Sequence, residues 1–244
     1  MNGQPVTVVT GGSRGIGAAV CVRLAGEGHD IGLAYHSDAA AAEAVAEAVR
    51  ATGRRCVTVR ADTADEADVD RLFDTAAAEL GPVTGLVNNA GMSGPVGPLA
   101  DADAAGMRRA LEVNVLGYLL CARRAVRDMT ASGGGAIVNV SSAAATLGSP
   151  GEYVHYAAAK GAVDTMTVGL SKEAGPAGIR VNAVAPGVIR TEFHADPERP
   201  DRLGPSTPLG RPGLPEEIAG AVAWLLSPDA SYATGTVLRV AGGR

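Results

Sequence analysis

Short runs rich in β-branched residues alternate along the chain with longer segments whose apolar residues recur at helical spacing. Pro5–Thr10 (PVTVVT) predicts a strand, and Gly15–Gly28, with Ile16, Val20 and Leu24 four apart, predicts a helix. Ile31–Tyr35 reads as a second strand. Asp38–Gly53 reads as an Ala/Glu helix, capped by Ser37 or Asp38 and ended by Gly53. Arg55–Arg60 is a third strand, Asp65–Leu80 a helix and Val83–Asn88 a fourth strand. One helix spans about Asp103–Ser132, followed by a strand at Ala136–Ser141, a helix at about Val154–Ala174 and a strand at Arg180–Ala185. A helix at Pro215–Leu226 and a strand at Thr236–Val240 close the chain. Strict alternation predicts an α/β fold. It would be one doubly wound parallel sheet of about seven strands, with right-handed crossovers and helices on both faces. No linker divides residues 1–244, which read as a single domain. Pro186–Pro215 breaks the pattern with proline and charge and reads as a lid loop.

Composition narrows the classes. Aromatics are only 3% of 244 residues, so the core is built from Ala, Val, Leu and Ile. The net charge is -5, and no stripe of Lys and Arg stands ready to neutralise phosphates, which argues against nucleic acid as a partner. Cys21, Cys56 and Cys121 are odd in number and far apart, each in an apolar segment. They read as reduced, buried thiols of a cytoplasmic protein. Met1–Pro5 does not resemble the start of a signal peptide, and no apolar run approaches the ~20 residues of a membrane span.

The first strand runs into Thr10-Gly11-Gly12-Ser13-Arg14-Gly15-Ile16-Gly17. In an open parallel sheet, ligands bind beyond the carboxyl ends of the strands. Glycines there let backbone N–H groups approach a pyrophosphate at a helix N-terminus. The spacing is not GxGxxG. The acid expected on a ribose 2′-hydroxyl is also missing, because the second strand ends in Tyr35-His36-Ser37, and Asp38 is better placed as a cap. Arg14 stands inside the loop, where a guanidinium suits a 2′-phosphate. This charge pattern favours NADP(H) over NAD(H).

Tyr156 and Lys160 are four apart at the start of a predicted helix, one turn apart on one face. A free phenol has a pKa of about 10, and a neighbouring ammonium would depress it, tuning Tyr156 as a general acid/base. Upstream, Ser141-Ser142 ends a strand at the same carboxyl edge as the glycine loop, where a hydroxyl could hold a carbonyl oxygen. Tyr153, seven residues from Lys160, reads as a pocket wall at best. His155 reads as a surface or interface residue, and His29, His36 and His194 are too scattered for a metal cluster.

Taken in order, these motifs resemble the short-chain dehydrogenases/reductases, particularly 3-oxoacyl-[acyl-carrier-protein] reductase-like members, over essentially the whole chain. Thr10–Gly17 is similar to the family's TGxxxGxG loop, and Asn88-Asn89-Ala90-Gly91 to its NNAG motif. Asn114, Ser142, Tyr156 and Lys160 match its catalytic tetrad, and Pro186-Gly187 with Thr191 its PG segment. The resemblance implies a Rossmann-type fold. It implies that Tyr156 gives a proton to the developing alkoxide, and that Ser142 bonds the carbonyl oxygen. Lys160 would bind the nicotinamide ribose and lower the Tyr156 pKa. Asn114 would hold a relay water through a main-chain carbonyl bent out of its helix. Gly11, Ser13, Arg14, Gly15, Ile16, Gly17, His36 and Ser37 would surround the phosphates and adenosine ribose. Asp62 and Thr63 would meet the adenine, and Asn89, Ala90 and Gly91 would lie near its ribose. Pro186, Gly187, Ile189 and Thr191 would line the nicotinamide. One departure stands out: Ser142 to Tyr156 is one residue longer than in the closest reductases. The extra residue falls in the substrate-facing stretch 148–155, so the substrate does not carry over.

The expectation is an NADP(H)-dependent enzyme that reduces a ketone, a 3-oxoacyl thioester or related carbonyl, to a secondary alcohol. A sugar or polyol dehydrogenase and a secondary-metabolite ketoreductase use the same four residues and stay open. A non-catalytic dinucleotide-binding protein should have lost Tyr156 or Lys160. Ala157, Ala158, Ala159, Gly161 and Ala162 would allow close helix approach, and the resemblance implies a homotetramer (or homodimer) through this helix and the 103–132 helix.

Overall fold

The computed structural model describes residues 4–193 and 196–244. Seven parallel strands form one sheet: β1 (Val6–Val9), β2 (Asp30–Tyr35), β3 (Cys56–Arg60), β4 (Val83–Asn88), β5 (Gly135–Val140), β6 (Ile179–Pro186) and β7 (Val237–Val240). Their order is β3-β2-β1-β4-β5-β6-β7, so the winding reverses between β1 and β4. The helices are α1 (Gly15–Gly26), α2 (Ala39–Ala51), α3 (Glu66–Leu80), α4 (Ala104–Leu111), α5 (Gly117–Ser132), α6 (Ala144–Leu147), α7 (Val154–Ala174), α8 (Arg199–Leu203) and α9 (Pro215–Leu226). Every predicted strand is present, within a residue or so at each end.

Successive strand residues point to opposite faces, and each face has its own core. On one side Val9, Leu33 and Val138 pack against Val20 and Leu24 of α1 and Ile218 and Val222 of α9. On the other, Val8, Leu86 and Ile137 pack against Leu72 and Phe73 of α3 and Cys121 and Met129 of α5. Cys21 and Cys121 are buried as read. Cys56 is only partly buried, on β3 near the sheet's edge, and none of the three is paired. Asp38 is the cap of α2, its carboxylate accepting from Ala41 N at 2.9 Å.

Two expectations change. The helix predicted over 103–132 is broken: Glu112–Leu116 forms a π-helical turn between α4 and α5. The apolar spacing on either side stays helical, and no proline or glycine marks the extra residue within the turn, so periodicity runs through it unmarked. The stretch 186–215 is less irregular than read. Its stem is zipped by Gly213 N to Val188 O (2.9 Å) and Arg190 N to Gly213 O (3.0 Å), and α8 lies within it.

Beneath the carboxyl edge runs a buried polar chain. Asn88 Nδ2 donates to Asn139 Oδ1 (3.0 Å) and to the Tyr118 carbonyl (3.3 Å). Asn139 Nδ2 donates to Thr167 Oγ1 (2.9 Å), which donates to Val163 O (2.8 Å). This chain ties β4, β5, α5 and α7 together. Asn139→Leu, which leaves a buried donor and acceptor unpaired, should destabilise the protein by about 1–3 kcal/mol. A thermal melt with an unchanged midpoint would refute that.

Candidate active site

The carboxyl ends of β1, β4, β5 and β6 open onto one cleft of about 530 Å³, in the size range of small-ligand sites. It lies at the β1/β4 reversal, as strand order requires. The glycine loop contributes Gly11, Ser13, Arg14, Gly15 and Ile16, and His36 and Ser37 come from the end of β2. Asp62 and Thr63 follow β3, Asn89, Ala90 and Gly91 follow β4, and Pro186, Gly187, Ile189 and Thr191 follow or end β6. Ser142, Tyr156 and Lys160 line the same cleft. Of the predicted residues, only Gly17 and Asn114 stand behind its wall.

Gly17 is there because a side chain would not fit: a Cβ would lie 2.2 Å from Gly11 O and 2.5 Å from Asn89 Nδ2. Gly11 and Gly15 have φ of +64° and +54°, the left-handed conformation that glycine adopts without strain. Asn89 does more than expected. Its amide donates to Thr10 O (2.9 Å) and Gly11 O (3.0 Å), while Thr10 Oγ1 accepts from Asn89 N (2.9 Å) and Ala90 N (3.0 Å). The two loops at the reversal are thereby stapled together. From across the cleft, Thr191 reaches the glycine loop, its Cγ2 3.3 Å from where a Cβ on Gly15 would stand. A shallow anion cradle backed by the N-terminus of α1 fits a dinucleotide pyrophosphate.

At the end of the cleft beside β2 and β3, Arg14 is in no ion pair among the described residues. Arg60, at the end of β3, donates to His36 O (3.1 Å). Asp62 is already engaged: Oδ1 accepts from Ala64 N (3.1 Å) and Oδ2 from Arg109 Nη2 (2.6 Å). Arg109, which no motif flagged, thus forms part of this wall.

The two adjacent serines have different tasks. Ser141 is buried and donates to Asp164, whereas Ser142 hydrogen-bonds the Tyr156 phenol. Tyr153 forms a wall, its ring edge-on to Tyr156 at 5.4 Å, with Phe193 on the other side at 5.8 Å. Arg199 stacks over Tyr153 at 5.5 Å and pairs with Glu152, joining the 186–215 segment to the 148–155 stretch. His155 departs from its surface assignment. It is buried, with Nε2 2.8 Å from Ser93 O, because the β4–α4 loop folds over the start of α7. His29 bonds Thr7 Oγ1 at 2.8 Å, and His194 and Met1–Gly3 lie outside the described residues.

Tyr156 and Lys160 share one face, the ammonium 5.7 Å from the phenol ring centre. Their electrostatics differ from expectation. Burial holds the Tyr156 phenol above its ordinary value, partly countered by the Ser142 hydrogen bond. Burial also pulls the Lys160 ammonium down to about 7, partly offset by Asp164. The amine is therefore a weak source of positive charge near neutrality, and desolvation of the phenol wins. Lys160 Nζ donates to Val140 O (2.8 Å) and Tyr118 Oη (3.1 Å). Asn114 sits in the π turn, a backbone distortion of the kind the resemblance implies. Its Nδ2 donates to Met92 O (2.7 Å) and Ala110 O (2.8 Å), while its buried Oδ1 has no partner. A Cβ on Gly91 would stand 2.8 Å from that oxygen and 3.8 Å from Lys160 Nζ, so both groups face one small space.

A family model described as Enoyl-(Acyl carrier protein) reductase matches residues 11–244. The chain is 46% identical to Uncharacterized oxidoreductase YgfF of Escherichia coli over 245 residues, covering 98% of this chain and 99% of that one. It is 42% identical to cis-4-hydroxycyclohexanecarboxylate dehydrogenase of Sinomonas cyclohexanicum, covering 98% and 96%. Among solved structures, a blue fluorescent protein from a metagenomic library in complex with NADPH superposes with a TM-score of 0.92 at 40% identity, covering 99% and 98%.

Proposed function

Because this chain belongs to the short-chain dehydrogenase/reductase family, whose members interconvert alcohols and carbonyls, we propose that it is an NADP(H)-dependent ketone reductase. The observation that carries this reading is the convergence of Ser142, Tyr156 and Lys160 on the cleft that also contains the glycine loop. When bound, the dinucleotide supplies the hydride. The protein's own residues supply the rest. Ser142 holds the carbonyl oxygen and Tyr156 gives its phenolic proton to that oxygen, so one hydride and one proton turn C=O into CH–OH. A buried phenol held protonated near neutrality is in the state a proton donor needs. Lys160 holds the ribose, and the space between Asn114 and Lys160 suits a relay water. Asp62 and Thr63 meet the adenine, and the 186–215 segment acts as the lid over a single-domain enzyme.

The 2′-phosphate reading is supported by Arg14, which is in no ion pair among the described residues, by Arg60 at the same rim, by Asp38 being committed to its helix cap, and by the NADPH-bound relative. On the substrate side, Tyr153, Phe193 and Met92 form an apolar wall beside Tyr156. That wall and the Sinomonas relative's ring substrate favour cyclic or otherwise apolar ketones over sugars.

We also propose a homotetramer or homodimer. Ala157 and Ala159 turn out to be buried within the chain, but Ala158 and Ala162 of α7 are exposed together with Val168, and so are Leu116 at the end of the π turn and Leu119 in the first turn of α5.

Three outcomes follow. With a panel of cyclic ketones, acyl thioesters and sugars, NADPH oxidation should be measurable, and Tyr156→Phe should lower it about 10²–10⁴-fold. Undiminished turnover in that variant would remove the proposed acid. Arg14→Leu should raise the KM for NADPH roughly 10–100-fold while leaving that for NADH nearly unchanged. A wild-type preference for NADH would reject the cofactor assignment. Light scattering should give a multiple of the chain mass, and a monomer mass would reject the assembly.

A further inference from the structure

Tyr118 is a second phenol at the heart of the site, and no motif or family position calls for it. It lies on α5 one turn after Asn114, just past the π turn, and is 1% exposed. An extra residue in a helical turn rotates everything beyond it by about 100°. The π turn thus lets residues on both sides of it, Asn114 and Tyr118, face Lys160. Three buried hydrogen bonds close a triangle there. Lys160 Nζ donates to Tyr118 Oη (3.1 Å) and to Val140 O (2.8 Å), and Tyr118 Oη–H donates to the same Val140 O (3.0 Å). The ammonium also stands 4.7 Å from the centre of the Tyr118 ring. Both lone pairs of the carbonyl are used, and two of the three ammonium protons are committed.

We propose that Tyr118 is a positioning residue for Lys160: its hydroxyl and ring hold the ammonium at the floor of the cleft and leave one N–H for the ligand side. The consequence for catalysis rests on the reductase reading; the hold on Lys160 does not. The charged and titratable groups that face Lys160 are Tyr156 and Asp164 on its own helix and Tyr118 on α5. From β7, Arg239 acts on Asp164. Of these, Tyr118 alone bonds Nζ directly. Its hydroxyl accepts from the charged amine, so it favours the protonated form; without it the amine should lose its proton at lower pH.

The sequence offers a direct readout, because the chain has only two lysines, Lys160 and the exposed Lys172. In protein labelled with 13C-lysine, the Lys160 side-chain signal can be followed against pH with Lys172 as internal reference. In Tyr118→Phe, which keeps the ring, the Lys160 midpoint should fall by about 1 pH unit, and in Tyr118→Leu, which loses ring and hydroxyl, by more. Lys172 should not move. Carbonyl reduction that depends on charged Lys160 should show its high-pH decline displaced downward by the same amount. An unmoved or raised Lys160 midpoint in Tyr118→Phe overturns the proposal, as does a moved midpoint with an unmoved decline in rate. If the wild type turns over no carbonyl, the reductase reading fails while the lysine titration still decides whether Tyr118 holds Lys160. Should Tyr118→Phe not fold, the wild-type Tyr118 Cζ signal must track the Lys160 titration; a flat signal overturns the proposal.

Discussion

An amine that can carry a proton has been placed almost out of reach of water, and much of the architecture around it compensates for that. Lys160 is 3% exposed, and desolvation pulls its charged form down to about 7. An isolated buried ammonium would not persist. Here the carbonyl of Val140 from β5 and the hydroxyl of Tyr118 from α5 accept hydrogen bonds from two of its N–H groups, and Asp164 adds a more distant negative charge. That arrangement requires β5, α5 and α7 to meet at one depth. The π turn before α5 and the Asn88–Asn139–Thr167 chain beneath are the means by which they do so.

The same burial sets the state of the Tyr156 phenol. Tyr156 shares the dry pocket, so its proton is held more firmly than in water, and the Ser142 hydrogen bond and the Arg199 charge act in the opposite sense. A phenol in that condition is an acid waiting for a stronger base, and in the proposed reduction the alkoxide forming on a carbonyl would be such a base. The substrate side reinforces the dryness, because Tyr153 and Phe193 flank the phenol ring and the Arg199–Glu152 pair closes the rim.

The cleft itself is a product of strand order. At the β1/β4 reversal the crossovers run to opposite faces, leaving a crevice that no helix fills. A crevice alone would not hold shape. Thr10-Gly11 and Asn89-Ala90 are joined by four hydrogen bonds across it, and glycine at 11 and 17 removes side chains that would force the loops apart. The glycine loop is therefore braced from behind.

Local chemistry in the chain was enough for the strands, most of the helices and the Tyr156–Lys160 pair, while Asn114 and the choice of Ser142 came from the family resemblance. A strand announces itself by β-branched runs, a helix by spacing, and a reactive Tyr-Lys pair by lying one turn apart. The helix predicted over 103–132 shows where such signals stop: an inserted residue shifts the phase without changing composition, so periodicity runs through the π turn and only the resemblance at Asn114 pointed to a bent backbone. Tyr118 looked like any aromatic in an apolar helix, and Ser141 and Ser142 could not be told apart. Arg109, Arg199 and the burial of His155 depend on partners 47, 47 and 62 residues away. The expected depression of the Tyr156 pKa failed for the same reason. Proximity of a cation can be read from spacing, but desolvation is a property of everything packed around a group, and only the assembled fold decides which of the two prevails.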